Sequence, residues 1–164
     1  MKKTALLILT ILLISCEHQQ SFLHTGLEGK PLPKFDILLM DSTTQYNTES
    51  IPTGSPIVFF FFNPHCPYCR KETQDVLDNI KYLSSIRFYW LSNYPFHQIK
   101  EYYDYYHIDN YKNIIVGQDS KIYFAKYYKA TGVPYTAVFN KQKCLVKAVE
   151  GPITLKSLRR IIYQ

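Results

Sequence analysis

Glycine is scarce in this chain, and the basic residues form no run. Six glycines in 164 residues leave no low-complexity tract, and no internal repeat is visible. The formal charge is +6, of which Lys2 and Lys3 lie in the first three residues; the remaining +4 is scattered. An electrostatic footprint for nucleic acid needs a basic patch or stripe, so nucleic acid is not expected as a partner. A membrane-spanning run is lacking too: residues 5–14 (ALLILTILLI) form an apolar stretch well short of about 20 residues. Cysteine is limited to four residues. What the chain has instead is 46% apolar and 16% aromatic residues, enough for one compact domain with a real core.

The amino terminus has the shape of a secretory leader: Lys2-Lys3, a short apolar run, then Leu13-Ile14-Ser15-Cys16. The last four residues resemble a bacterial lipobox, in which the cysteine is lipidated and becomes the new first residue. An ordinary cleaved signal or an uncleaved anchor are the other readings. The resemblance implies a signal peptide over residues 1–15, a lipidated Cys16 with a polar tether over 16–31, and a folded domain over 32–164. It also implies a location in the bacterial cell envelope, anchored to a membrane and facing the periplasm. Several acyl chains on one cysteine would hold stably, since each buried methylene adds about 0.8 kcal/mol. Disulfides persist in that compartment. With Cys16 set aside, Cys66, Cys69 and Cys144 remain, an odd number, so one thiol has no partner within the chain.

Strand and helix signals alternate after the tether. Residues 32–41 read as a strand, with a second short one near Tyr46. Residues 57–62 (IVFFFF) are a continuous β-branched and aromatic run, expected to be a strand buried on both faces. The period then changes. From Pro67 to residue 83 the apolar positions Val76, Leu77, Ile80 and Leu83 form one helical face, with Lys71, Glu72, Asp75, Asp78 and Lys81 between them. Residues 86–91 return to strand. Residues 95–106 read as a helix with Pro95 in its first turn and Phe96, Ile99, Tyr103 and Tyr106 inward. A strand over 113–116, a helix over 120–129, a hairpin around residues 141–143 and a last helix over 154–163 complete the pattern. Such alternation implies a central sheet covered by helices.

The chemistry is concentrated in NPHCPYCRKE, residues 63–72. At a strand-to-helix junction Cys66 becomes the helix N-cap, with Pro67 at the first helical position. The first-turn N–H groups and the positive end of the helix then favour thiolate over thiol at Cys66. Cys69, one turn on, shares its face within disulfide reach and is recessed behind the helix. One activated sulfur and one resolving sulfur are what thiol–disulfide exchange requires. A structural zinc site would need further ligands, and His18, His24, His97 and His107 lack the spacing. His65 beside the pair gives a copper(I) clip as the main rival, because thiolates suit soft metals. A staple closing a two-residue loop would add little stability.

Strand, CxxC, helix and then Gly132-Val133-Pro134 before a strand together resemble the thioredoxin fold. The lead-in over residues 32–38 and the lipobox are similar to TlpA-like thiol–disulfide oxidoreductases of the bacterial envelope. The resemblance implies an α/β fold of three layers, α/β/α, around a mixed sheet with a short N-terminal β extension. It implies a cis Pro134 beside the reactive pair, and a Val133 backbone offered to an extended substrate segment, with Pro67 and Tyr68 beside it. Cys66 and Cys69 are the catalytic residues so implied. The partners are disulfide-containing protein substrates and an upstream thiol donor; no cofactor or metal is called for. Three departures stand out. Phe60 occupies the position where many thioredoxins carry a buried carboxylate. His65 replaces a tryptophan, and is either a charge that tunes Cys66 or a surface bystander. The Pro-Tyr dipeptide is better known from glutaredoxins. Lys71 and Glu72 are expected on the helix surface, and Cys144 as a small, partly buried hydrophobe. A peroxidase on the same fold is the other rival, but Phe59 and Asn63 stand where its proline and threonine belong.

Overall fold

The computed structural model describes residues 22–164. The leader and Cys16 lie outside the described residues. Seven strands form one mixed sheet in the order β2-β1-β5-β4-β3-β6-β7. They are β1 (Asp36–Leu39), β2 (Gln45–Asn47), β3 (Ile57–Phe61), β4 (Arg87–Ser92), β5 (Ile114–Gln118), β6 (Tyr135–Phe139) and β7 (Leu145–Glu150). The helices are α1 (Pro67–Asp78), α2 (Phe96–Tyr105), α3 (Tyr123–Tyr128) and α4 (Leu155–Ile162). Strands β3, β4 and β5 run parallel, and β6 is antiparallel to β3. The β1–β2 hairpin joins through β5, as the expected N-terminal extension.

The aromatic run at residues 57–62 makes the sheet two-sided. Side chains alternate along a strand, so Val58, Phe60 and Phe62 enter one core and Ile57, Phe59 and Phe61 the other. The first core takes Val76 and Leu77 of α1, Ile99 and Tyr102 of α2, and Leu158 and Ile161 of α4. The second takes Phe124 and Tyr128 of α3 with Leu32 and Phe35. Phe59 sits among rings, 5.1 Å from Tyr89 and 5.9 Å from Phe124 between centroids. Aromatic surface thus replaces aliphatic bulk in this core.

Several boundaries differ from the sequence expectation. The first strand is confined to Asp36–Leu39, because the chain before it turns inward: the Phe35 amide donates to Thr48 Oγ1 at 3.0 Å. The α-helix after the cysteines stops at Asp78, where the Asn79 side chain bonds the Asp75 carbonyl; residues 80–83 continue as a tighter 3₁₀ turn. In α2, Pro95 is the N-cap rather than a first-turn residue, and Tyr102, not Tyr103, is fully buried. The outer edge of β7 is covered by the described part of the stretch read as a tether. Leu23 N donates to Ala148 O (3.1 Å), Gly29 N to Leu145 O (2.8 Å) and Leu145 N to Lys30 O (2.9 Å). A covered edge offers no free ladder to another chain.

One glycine is required by close packing. A Cβ on Gly117 would stand 2.1 Å from Ile37 Cγ2 and 2.9 Å from the Leu38 carbonyl. Gly117→Ala must therefore push β1 away from β5. We expect a loss of about 1–3 kcal/mol and a Tm lower by roughly 3–10 °C by calorimetry. An unchanged Tm would mean that β1 is not held against β5.

Candidate active site

β3 ends at Phe61, and the next residues form a tight connection into α1. Asn63 is its hub. Its carbonyl accepts from Cys66 N at 3.0 Å, its Oδ1 accepts from His65 N at 2.8 Å, and its Nδ2 donates to the Tyr94 hydroxyl at 2.7 Å. Arg70 closes the turn from the helix side, donating through Nε to the Pro64 carbonyl at 2.8 Å. These bonds place Cys66 at the N-cap of α1 with extended backbone and Pro67 directly after it. The Cys69 amide donates to Cys66 Sγ at 3.3 Å. Such a bond, at a helix N-terminus, is suited to a sulfur that carries negative charge.

Cys66 is half-buried, whereas Cys69 has no solvent exposure, and both are free thiols. Burial pushes the Cys69 thiol well above the ordinary range, and the nearby Cys66 and Glu72 push it the same way. Across the site the Val133–Pro134 peptide is cis, and Cys66 Sγ lies 3.8 Å from the Val133 carbonyl. Val133 is half-buried and Pro134 buried at the start of β6. Pro67 and Tyr68 are exposed beside the pair, Tyr68 at 64%. Cys66, Cys69, Val133, Pro134, Pro67 and Tyr68 thus gather at one end of the sheet. His65 is exposed there too, but its Nε2 is engaged 2.9 Å from Gln98 Oε1 and its ring meets Tyr94 edge-on. Cys144 is half-buried on the β6–β7 hairpin, at the other end of β6. Among the described residues no three His, Cys, Asp or Glu side chains converge as metal ligands.

Glu72 corrects the sequence expectation. It is buried, at 7% exposure, rather than on the helix surface with Lys71. It lies three residues after Cys69 on the same helix face. Its Oε1 accepts from Thr136 Oγ1 at 3.1 Å and its Oε2 from the Ile153 amide at 3.2 Å. Burial pushes its carboxyl up to about 8, against the two hydrogen bonds that favour the charged form. Glu72 and Phe60 line one cavity of about 10 Å³ together with Thr73, Val76 and Trp90. That is space for about one water molecule. A buried carboxylate thus stands beside Phe60 on the helix and not on β3. Its signal was present: with Cys69 as an inward position, residues 72, 73 and 76 fall on the inner face.

A family model of the thioredoxin-like domain matches residues 47–164. Comparison with curated proteins gives no match. Among solved structures the chain resembles DsbF of MTB in mixed oxidised and reduced forms. The TM-score is 0.65 and identity 19%, covering 85% of this chain and 96% of that one. A thiol:disulfide interchange protein of the thioredoxin family from Chlorobium tepidum TLS gives a TM-score of 0.64 at 22% identity, covering 80% and 92%. A secreted Mycobacterium tuberculosis disulfide oxidoreductase homologous to E. coli DsbE gives 0.64 at 14% identity, covering 77% and 92%. A seven-stranded mixed sheet, the CxxC pair capping α1 and the facing Val133–Pro134 segment agree with the family match: the chain belongs to the thioredoxin-like domain family.

Proposed function

We propose that this protein is a thiol–disulfide oxidoreductase of the bacterial envelope, lipid-anchored through Cys16, which reduces disulfides in other proteins. The observation that carries the chemistry is the unequal placement of the two thiols. Cys66 caps a helix and faces the Val133 carbonyl, while Cys69 is sealed behind it. The anchor rests on the lipobox resemblance, and no described helix is long and apolar enough to cross a membrane.

In this mechanism Cys66, as thiolate, attacks one sulfur of the substrate disulfide. A Cys66–substrate bond forms, the substrate S–S bond breaks, and the departing thiolate takes up a proton. The substrate segment lies along Val133, whose backbone is offered to an added strand, with Pro134 beside it. Cys69 then loses its proton and attacks Cys66, releasing the second substrate thiol and leaving a Cys66–Cys69 disulfide. Glu72, in its ionised form and three residues along the same helix face, is the acceptor for that proton in this reading. An upstream thiol donor returns the pair to the reduced state.

Reduction of a protein disulfide by the wild-type chain, abolished in Cys66→Ala, tests the activity. No difference between the two would remove it. A reduction potential near −270 mV, about that of thioredoxin, fits a reductase, and one near about −120 mV would make the protein an oxidant. Cys16→Ser is expected to move the protein from the membrane fraction to a soluble or unprocessed form. Unchanged membrane association with the leader still cleaved would overturn the anchor.

A further inference from the structure

The covered edge of the sheet and helix α4 meet on one side of the molecule. Phe22, the first described residue, sits between two cations there: Lys147 Nζ and the Arg160 guanidinium are each 5.6 Å from its ring centroid. The backbone bonds of Leu23, Gly29 and Lys30 to β7 hold the following residues down. The chain is thus fixed to the β7–α4 edge from Phe22 onward. Only residues 17–21 separate Phe22 from Cys16. At no more than about 3.6 Å per residue, Cys16 lies within about 22 Å of Phe22, whatever path those residues take.

Beside that edge, where β7 itself carries Lys147 and Glu150, the helix is basic. Helix α4 reads LKSLRRII, with Lys156, Arg159 and Arg160 and no acidic residue. Lys156 and Arg159 line a groove of about 380 Å³ with Asn79, Tyr82, Leu83 and Leu155. Tyr82 is 73% exposed at this groove, and Tyr163, 58% exposed, ends the helix. Tyrosines settle at the headgroup level of a bilayer, and lysines and arginines near its surface bind anionic lipids.

We infer that the β7–α4 edge is a membrane-facing surface that docks on anionic phospholipid headgroups. The short leash rests on the reading of Cys16 as the lipid anchor; the charge and the tyrosines stand without it. A sheet standing on this edge holds the cysteines, at the end of β3, two strands farther out than β7, about 10 Å.

The test uses residues 17–164, the mature chain less its first cysteine, which keeps all seven strands, both cores and the segment along β7. Its co-sedimentation is measured with phosphatidylcholine vesicles, with and without about a third phosphatidylglycerol. Binding is expected only with phosphatidylglycerol, and should weaken at high salt. K156E/R159E/R160E should lower it at least about a hundredfold, about fivefold for each cation lost. R159Q/R160Q, a milder change, should lower it by an order of magnitude or more. K112E/K121E/K126E, of equal charge but away from this edge, should bind within a few-fold of wild type. No preference for phosphatidylglycerol, or equal loss in both triple variants, overturns the surface. Fractionation of Cys16→Ser reads the anchor independently. If it shows no anchor while residues 17–164 still bind anionic vesicles, the surface stands and the anchor falls; the reverse pair of results sinks the surface alone.

Discussion

Cys69→Ser will accumulate covalent complexes with substrate proteins, and Cys66→Ser will accumulate none. The expectation follows from access. Cys69 has no exposed surface, so a substrate disulfide cannot reach its sulfur. Cys66 is half-buried, caps α1 and faces the carbonyl of Val133, where an extended segment would lie. In the proposed mechanism attack therefore starts at Cys66. The mixed disulfide so formed is resolved by the thiol one turn along the same helix face, and a serine hydroxyl there cannot take its place. Turnover should fall in both variants by on the order of 10³-fold or more, but only Cys69→Ser should show complexes on a non-reducing gel that vanish with reductant. Cys144→Ser should match wild type, because Cys144 sits at the far end of β6. Trapping by Cys66→Ser as efficient as that by Cys69→Ser would reverse the assignment.

Glu72→Gln will flatten the pH dependence of both stability and the resolving step. In the folded protein the carboxyl titrates at about 8, raised by burial from an ordinary 4.5. Between those two values the folded state keeps a proton that the unfolded state releases. Stability from this group is thus full below about pH 4.5 and lost as pH rises through about 8, at up to about 1.4 kcal/mol per pH unit. The amide cannot ionise, so the difference between wild type and Glu72→Gln should grow across that window to a few kcal/mol in favour of the variant, read by urea unfolding at successive pH values. The same substitution removes the proposed proton acceptor for Cys69. Release of substrate from the mixed disulfide should slow, and should lose the rise with pH that the wild type shows toward about 8. Parallel stability profiles for wild type and variant would show that Glu72 does not titrate in this range.

The sequence by itself determined the parts that short-range chemistry controls. A six-residue aromatic and β-branched run makes a strand wherever it lies, and both faces of β3 are indeed buried. Pro67 after a cysteine, followed by a helical period, fixes the cap of α1. Gly-Val-Pro before another β run marks the segment that faces it. Tertiary structure decided what depends on residues far apart in the chain. Glu72 shares the inner helix face with Cys69, but a carboxylate by itself belongs in water. It is buried because Thr136 and the Ile153 amide, 64 and 81 positions away, satisfy its oxygens. No period within α1 reports those partners, and a buried carboxylate is tolerable only with them. Likewise, residues 22–31 carry no strand or helix period of their own, and take their place only because β7 offers them an unpaired edge. Tyr102 rather than Tyr103 turns inward because the Thr73 hydroxyl and the Phe62 ring, at 4.6 Å, receive it. Periodicity assigns the elements; only the assembled sheet assigns partners to the polar groups it encloses.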